Sequence, residues 1–221
     1  AAVGAGFVAM RLFVPARGRS TQSQQPASPN PAPAPRPQAA KAKAAPPGPP
    51  PDVFISYKRD ERAEVLAIAR RLEALKLRVW FDADMRSGTA FDTEIDRQVR
   101  GAKAVLVCWS PGAVASDWVR GEATIGRQRN VLAAAILKRC DLPAPFNLVH
   151  ADDLTAGAGP SNPEWLRLVE RIGMLTGRSG LAAFEALELG RDKSAYAAWI
   201  AANSSDPLLD LAVSRLKAIP A

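Results

Sequence analysis

The segment SDWVRGE, residues 116–122, places an aromatic ring and a carboxylate where they could act together. Trp118 and Glu122 are four residues apart, about one helical turn, so their side chains share one face of a helix. The Ser–Asp pair at the start of the segment is typical of a helix N-terminus. Two interpretations are open. The pair is either a core tryptophan beside a solvated glutamate, or a stacking ring beside a catalytic carboxylate that binds a sugar.

Other catalytic residue types are scarce in this chain. Its single histidine, His150, argues against Ser-His-Asp or Cys-His chemistry, and we interpret it as an ordinary strand-end residue. Cys108 and Cys140 form neither a CxxC pair nor a Cys/His cluster, so the sequence predicts no metal site. Two thiols in apolar or mixed surroundings fit a reducing cytosol better than a disulfide scaffold.

The positive charge of the chain lies at its N-terminus. The 221 residues carry a net charge of +7, and residues 1–51 hold six basic residues and no acidic one. The remaining chain is nearly balanced, with 23 basic and 22 acidic residues. A nucleic-acid-binding fold would concentrate basic residues on its own face, so we expect no nucleic-acid partner.

Composition separates an N-terminal arm from the rest of the chain. Residues 15–51 contain 12 of the 19 prolines, which predicts a disordered, polyproline-like linker. Residues 1–10 are apolar but too few to span a bilayer, which takes about 20 residues. They fit either the end of a longer transmembrane helix with an Arg-rich cytoplasmic flank, or an artefact of the translation start, with Met10 as the true start. We therefore expect a cytoplasmic protein, either free or tethered to the inner face of a membrane.

From residue 52 onward, apolar strand patterns alternate with amphipathic helix patterns. This alternation predicts an α/β fold: a small doubly wound, flavodoxin-like five-stranded parallel sheet with helices on both faces. The predicted strands are DVFISY, LRVWFD, KAVLVCWS, NVLAAAIL and FNLVH. Ser110 and Pro111 have the residue types of an N-cap and a first helical position. Ligands on such sheets bind beyond the carboxyl ends of the strands.

Three parts are expected along the chain: the arm at 1–51, the α/β domain at 52–178 and a tail at 179–221. The tail has the pattern of two or three short helices and looks like one hairpin of tetratricopeptide type. One such unit cannot bury its own apolar face. We therefore expect the tail to pack on the domain or on a partner.

Three segments resemble a known family. DVFISYKRDE, LRVWFDADMRSGTAF and AKAVLVCWSPGAVASDWVRGE are similar, in this order and spacing, to the Toll/interleukin-1 receptor (TIR) domain family. The resemblance covers about residues 52–178 and implies a five-stranded parallel sheet. Many bacterial and some animal and plant members cleave NAD+ at the nicotinamide–ribose bond, whereas others are adaptors that act by self-association.

The resemblance also implies site residues. The family's catalytic glutamate, four residues after a tryptophan, corresponds to Glu122. The loop after the second strand, called the BB loop, corresponds to residues 82–91, and its residues 83–90 are expected to contact a neighbouring copy and complete the pocket. Where many members have Pro-Gly in this loop, this chain has Ser87 and Gly88. The implied substrate contacts are Ser56, Tyr57, Lys58, Asp82, Arg86, Phe91 and Trp118.

One carboxylate is chemically sufficient for this reaction. The pyridinium of NAD+ leaves as neutral nicotinamide, so the general acid that glycosidases need is not required. A placed anion stabilises the oxocarbenium-like transition state. We therefore expect an NAD+ glycohydrolase, with NAD+ as substrate rather than cofactor and with ADP-ribosyl cyclisation as an open second outcome. A non-catalytic TIR scaffold is the alternative, and a response-regulator phosphoacceptor is disfavoured because the third strand ends in Trp109-Ser110 instead of Asp.

Overall fold

The computed structural model describes residues 49–81, 89–190 and 192–220, with the backbone alone described at 89–92. Its five strands form one sheet in the order β2-β1-β3-β4-β5, and every neighbouring pair is parallel. The strands are β1 (Val53–Ser56), β2 (Val79–Trp80), β3 (Ala104–Trp109), β4 (Leu132–Ile136) and β5 (Asp152–Asp153). This order confirms the predicted flavodoxin-like, doubly wound fold.

Eight α-helices and three single-turn 3-10 helices are found in the described residues. The α-helices are α1 (Arg62–Ala74), α2 (Thr89–Gly101), α3 (Pro111–Ala115), α4 (Asp117–Gln128), α5 (Pro163–Thr176), α6 (Leu181–Ala186), α7 (Lys193–Ala202) and α8 (Leu209–Ala218). The 3-10 turns are Arg59–Glu61, Phe146–Leu148 and Leu187–Leu189.

Strand alternation divides the core between the two faces of the sheet. Along β3, Leu106 and Cys108 pack with α1 and α5, while Val105 and Val107 pack with α2 and α4. The same alternation places Phe54 of β1 on the α2/α4 face. Because side chains two residues apart share a face, Ser56 also points to the α2/α4 side, at the carboxyl end of β1.

The segment FNLVH, predicted as the fifth strand, is not a strand. Phe146–Leu148 forms a 3-10 turn, and the fifth strand is Asp152–Asp153. Phe146 is buried with its ring 5.2 Å from that of Trp109, whereas Leu148 is 81% exposed. A half-buried strand would bury both residues, since they are two apart. The backbone of this segment instead forms hydrogen bonds within turns, for example from Val149 N–H to the Phe146 carbonyl at 3.0 Å.

The chain after β3 forms two consecutive helices, α3 and α4, which are separated at Ser116. The Ser110 hydroxyl accepts from Ala113 N–H at 3.0 Å, and the Ser116 hydroxyl accepts from Val119 N–H at 3.4 Å. Both serines therefore act as N-caps, as their sequence context predicts. Gly126 then allows α4 to lie close to the sheet, because a Cβ there would be 2.9 Å from the Val105 Cβ.

The C-terminal helices pack on the sheet domain. Leu181, Phe184, Trp199 and Leu208 are buried in the same apolar cluster as α1 and α5. The carboxylate of Glu185 adds polar contacts, accepting from the Arg71 guanidinium at 2.7 Å and from the Trp165 indole at 2.8 Å. The tail was expected to pack either on the domain or on a partner, and in the structure it packs on the domain. No helix in the described part of the chain is both long and apolar enough to cross a membrane.

Asp52 holds the amino-terminal ends of three strands together. Its carboxylate accepts from Arg78 N–H at 2.9 Å and lies 2.9 Å from the Lys103 ammonium. Burial alone would raise the pKa of Asp52, but the hydrogen bonds from Arg78 and Lys103 lower this pKa to about 2.

The fold should therefore lose stability at acid pH, over the range in which Asp52 becomes protonated. A depressed folded-state pKa contributes stability above the unfolded pKa of about 3.9, and the contribution is lost as the pH falls towards about 2. We expect Asp52→Asn to lower the urea midpoint at pH 7 and to flatten the fall of stability between about pH 4 and pH 2. Identical pH profiles for wild type and variant would contradict this assignment.

Candidate active site

A cleft opens at the carboxyl end of β1, on the α2/α4 face of the sheet. Ser56, Tyr57 and Arg59 line it from the strand tip, and Trp118 and Glu122 line it from α4. Its remaining walls are Phe54, Ile55, Trp80 and Ile95. The strand order reverses between β1 and β3, and in doubly wound sheets ligands bind at such switch points. The cleft is therefore where this fold class places a ligand.

The helix α4 buries its glutamate and exposes its tryptophan. Val119, Glu122, Ala123 and Gly126 form the buried stripe of this helix, and Glu122 is only 8% exposed. Trp118 is 48% exposed. The interpretation of this pair as a core tryptophan beside a solvated glutamate is therefore wrong, because Trp118 is half-exposed and Glu122 is buried. Burying a carboxylate is costly, so a buried glutamate in a cleft is a candidate functional group.

Ser56 contributes a polar atom without a partner. The residue is 1% exposed, and its hydroxyl oxygen makes no hydrogen bond to the described part of the chain. A buried hydroxyl without a partner costs on the order of 1–3 kcal/mol. Ser56 is one of the residues that line the cleft.

The structure brings four of the predicted site residues together: Ser56, Tyr57, Trp118 and Glu122. Lys58 is half-buried beside α3, where a Cβ on Gly112 would be 3.2 Å from its Cγ, and it is not among the residues that line the cleft. The remaining assignments, Asp82, Arg86 and the side chain of Phe91, lie outside the described residues.

Sequence reasoning missed five residues of the cleft: Phe54, Ile55, Arg59, Trp80 and Ile95. The ring of Trp80 stacks on Phe54 at 4.9 Å, with an interplanar angle of 11°. This contact follows from the parallel register that pairs Phe54 with Trp80. A sequence signal existed for Arg59, which directly follows the predicted strand tip, whereas the positions of Trp80 and Ile95 depend on tertiary packing.

A second polar cluster lies at the far edge of the sheet. Ligand atoms of His150, Asp152 and Glu164 lie within 4.8 Å of one another, a spacing that a metal ion could use. However, the Arg167 guanidinium lies 3.5 Å from Asp152 and also hydrogen-bonds Glu164. The carboxylates are thus already paired with a cation. His150 is not a strand-end residue as predicted; it precedes β5 and bonds Asp152 at 3.0 Å.

Neither thiol is suited to nucleophilic chemistry. Burial raises the pKa of the fully buried Cys108 thiol far above its usual value, and the nearby Glu61 carboxylate adds to the shift. Burial also raises the pKa of Cys140, with a further contribution from Asp141. A thiol that stays protonated is a poor nucleophile.

Comparison with known proteins identifies a family for most of the α/β domain. A family model of the TIR domain matches residues 53–169. Among solved structures, the TIR domain of the Toll-related receptor TRR-2 from Hydra magnipapillata aligns with 20% identity and a TM-score of 0.44, covering 48% of this chain and 85% of that one. A comparison with curated proteins finds no match.

The match of the family model to more than half of the chain shows its family. The chain belongs to the TIR domain family, whose domains act in signalling and interact with other TIR domains. Of the three segments that carry the resemblance, LRVWFDADMRSGTAF and AKAVLVCWSPGAVASDWVRGE lie inside the matched region, and DVFISYKRDE begins one residue before it.

Proposed function

We propose that this TIR domain is an NAD+ glycohydrolase of the kind found in bacterial members of its family. The observation that carries the proposal is the burial of Glu122 in a cleft that it shares with Trp118 and the Ser56 hydroxyl. In the proposed reaction the bond between the ribose C1′ and the nicotinamide nitrogen breaks, and its electron pair leaves with neutral nicotinamide. Water adds to C1′ and releases one proton, giving ADP-ribose.

Glu122 supplies the negative charge that this transition state needs. The developing oxocarbenium ion is positive, and a carboxylate held in a mostly water-excluded site stabilises it far more than one in bulk water. The same carboxylate can accept hydrogen bonds from the ribose hydroxyls. Because the leaving group needs no proton, the absence of a histidine from the lining of the described cleft is no obstacle.

The other cleft residues suit the rest of the substrate. Trp118 is half-exposed, and its indole would attract a pyridinium ring by stacking and cation–π interaction. Arg59 is also among the residues that line the cleft, and its guanidinium is the type of group that best recognises phosphate oxygens. A dinucleotide has a cationic ring at one end and a pyrophosphate in the middle, so it matches this combination of groups.

The described walls of the cleft enclose only part of the space that a dinucleotide needs. The described walls enclose about 70 Å³, whereas small-molecule pockets typically hold roughly 300–1,000 Å³. We propose that the nicotinamide–ribose end binds at Glu122 and that a neighbouring copy covers the rest of the dinucleotide. Association with other TIR domains is a general property of the family.

The concentration dependence of activity tests this proposal. The 221-residue chain is incubated with NAD+ over a wide range of protein concentrations, and free nicotinamide is separated by chromatography and quantified. We expect the rate per molecule to rise with concentration. A rate per molecule that stays constant, in a protein that remains monomeric throughout, would reject the need for a second copy. No nicotinamide at any concentration would favour the scaffold alternative.

Ser56→Ala tests whether the Ser56 hydroxyl contributes to substrate binding without contributing to the stability of the fold. Removing a buried hydroxyl without a partner relieves a desolvation cost, so we expect unfolding free energy to stay equal or rise by up to about 1 kcal/mol. Loss of one hydrogen bond to substrate should raise KM on the order of five-fold.

Ser110→Ala is the matched control for this variant, since it also removes a buried hydroxyl at a strand end. Its hydroxyl caps α3, so this variant should lose about 1 kcal/mol of stability. The measurements are urea unfolding and Michaelis–Menten analysis of nicotinamide release. A Ser56→Ala protein that is less stable than wild type, with KM unchanged, would contradict the assignment.

A further inference from the structure

A buried carboxylate outside the cleft has no part in the proposed reaction. Glu61 ends the 3-10 turn Arg59–Glu61, called here the β1–α1 turn, and is the buried residue of that turn, with 4% of its surface exposed. Its Oε1 lies 3.3 Å from the Lys138 ammonium. Its Oε2 is buried and makes no hydrogen bond to the described part of the chain. A buried carboxylate with an unsatisfied oxygen is costly to the fold, so Glu61 is a candidate functional group.

The β1–α1 turn crosses the carboxyl edge of the sheet from one face to the other. Its first residue, Arg59, lines the cleft on the α2/α4 face. Its last residue, Glu61, leads into α1 on the opposite face. Burial raises the pKa of the Cys108 thiol and the Glu61 carboxylate raises this pKa further, so the carboxylate lies near Cys108 on the α1/α5 side. The turn therefore connects the cleft wall to a buried group behind the sheet.

No local side-chain cap holds this turn. Neither Lys58, at its start, nor Glu61, at the start of α1, makes a capping hydrogen bond with its side chain. The turn is closed by backbone bonds, such as the one from Glu61 N–H to the Lys58 carbonyl at 2.9 Å. The helices α3 and α4 differ, because serine hydroxyls cap them. The ion pair of Glu61 with Lys138, 77 residues away, therefore supplies a tie that local capping does not.

Lys138 is itself fixed to the sheet. It lies just beyond β4, and the backbone N–H groups of Leu137 and Lys138 donate to the Trp109 carbonyl at 2.8 and 3.5 Å. Because the strand order is β1-β3-β4, the ion pair reaches from the turn after β1, across the end of β3, to the end of β4. It thus links the β1–α1 turn to three strands of the sheet.

We infer that Glu61 and Lys138 form a positioning pair, which holds the β1–α1 turn so that Tyr57 and Arg59 stay in the cleft wall. Neither member of the pair lines the cleft, so it acts on the site through the turn. Without the pair, the turn and that part of the wall move away from a bound ligand. The effect on substrate binding rests on the proposed function, whereas the effect on the turn does not.

Two variants of the 221-residue chain test the pair. Glu61→Gln removes the negative charge at nearly constant size, and the double variant Glu61→Gln/Lys138→Met also removes the cation, so that no unpaired charge is left beside the core. In both we expect the backbone amides of residues 57–62 to exchange with deuterium about tenfold faster than in wild type, and those of α5 to change less. Mass spectrometry of peptides from the exchanged protein measures this.

The same variants should change substrate binding more than turnover. We expect KM for nicotinamide release to rise on the order of five-fold, as when one hydrogen bond to a ligand is lost. The kcat should stay within about two-fold of wild type, because Glu122 is unchanged. The double variant should show no larger KM than Glu61→Gln, since both break the same interaction.

Glu64→Gln is the matched control for the pair. It makes the same chemical change on a carboxylate 3.8 Å from the Lys138 ammonium, but the side chain of Glu64 is 46% exposed. An exposed ion pair contributes little, so exchange and KM should stay at their wild-type values.

Wild-type exchange of residues 57–62 in both pair variants would overturn the inference. A lower melting temperature with unchanged KM would overturn it too, because the pair would then only stabilise the fold. Equal effects of Glu64→Gln and Glu61→Gln would have the same consequence. A wild type that releases no nicotinamide would reject the proposed function instead, and deuterium exchange alone would then decide whether the pair holds the turn.

Discussion

Glu122→Gln is expected to lower nicotinamide release from NAD+ by on the order of 10²-fold or more, the scale seen when one electrostatic stabiliser is removed. Glutamine keeps the size and shape of the side chain but removes its charge. We expect the melting temperature to stay close to that of the wild type while turnover collapses.

Glu73→Gln is the matched control for this substitution. It makes the same chemical change on the exposed surface of α1, far from the lining of the cleft, and should alter neither turnover nor melting. If Glu122→Gln were as active as Glu73→Gln, Glu122 would have no catalytic role. A Glu122→Gln protein that melts well below wild type would instead assign its carboxylate to the fold.

Removal of the C-terminal helices should have the largest effect on stability. Five buried side chains of the tail, Leu181, Phe184, Tyr196, Trp199 and Leu208, belong to the same apolar cluster as α1 and α5. Each contributes about 1.5–3 kcal/mol when buried, so their loss costs on the order of 10 kcal/mol. That is as large as the whole stability of a typical domain, about 5–15 kcal/mol. A chain ending at residue 178 should therefore fail to fold cooperatively.

Deletion of residues 1–48 is the complementary control. The described residues begin at Pro49, and Pro51 is already buried. The deleted segment therefore ends before the described fold begins. We expect this variant to melt within a few degrees of wild type, since a Pro-rich segment contributes little apolar surface. Thermal unfolding followed by circular dichroism measures both variants. Cooperative melting of the 1–178 chain at the wild-type temperature would show that the tail is dispensable.

Features fixed by local rules could be predicted from the sequence. The helix starts at Ser110 and Ser116 depend on a hydrogen bond to a residue three positions later, so residue type and spacing suffice. The alternation of apolar strands and helices was enough to predict the doubly wound sheet. Local rules failed at FNLVH, because a short apolar run does not distinguish a strand from a turn that buries one aromatic ring.

The site was predictable only in part, because its geometry depends on long-range packing. The spacing of Trp118 and Glu122 places them on one side of α4, but which of them is buried depends on the rotation of the helix. That rotation is set where Gly126 meets the sheet at Val105. Trp80 enters the cleft through the register of β2 against β1, which no local pattern specifies.

The most direct test of the central claim is to follow NAD+ by proton NMR in the presence of the concentrated 221-residue chain. The pyridinium proton resonances of NAD+ shift when the ring leaves as neutral nicotinamide, so bond cleavage is observed without coupling reagents. We predict that these signals convert to those of nicotinamide with wild-type protein, and that Glu122→Gln abolishes the conversion over the same period. Unchanged NAD+ with concentrated, folded wild-type protein would contradict the account.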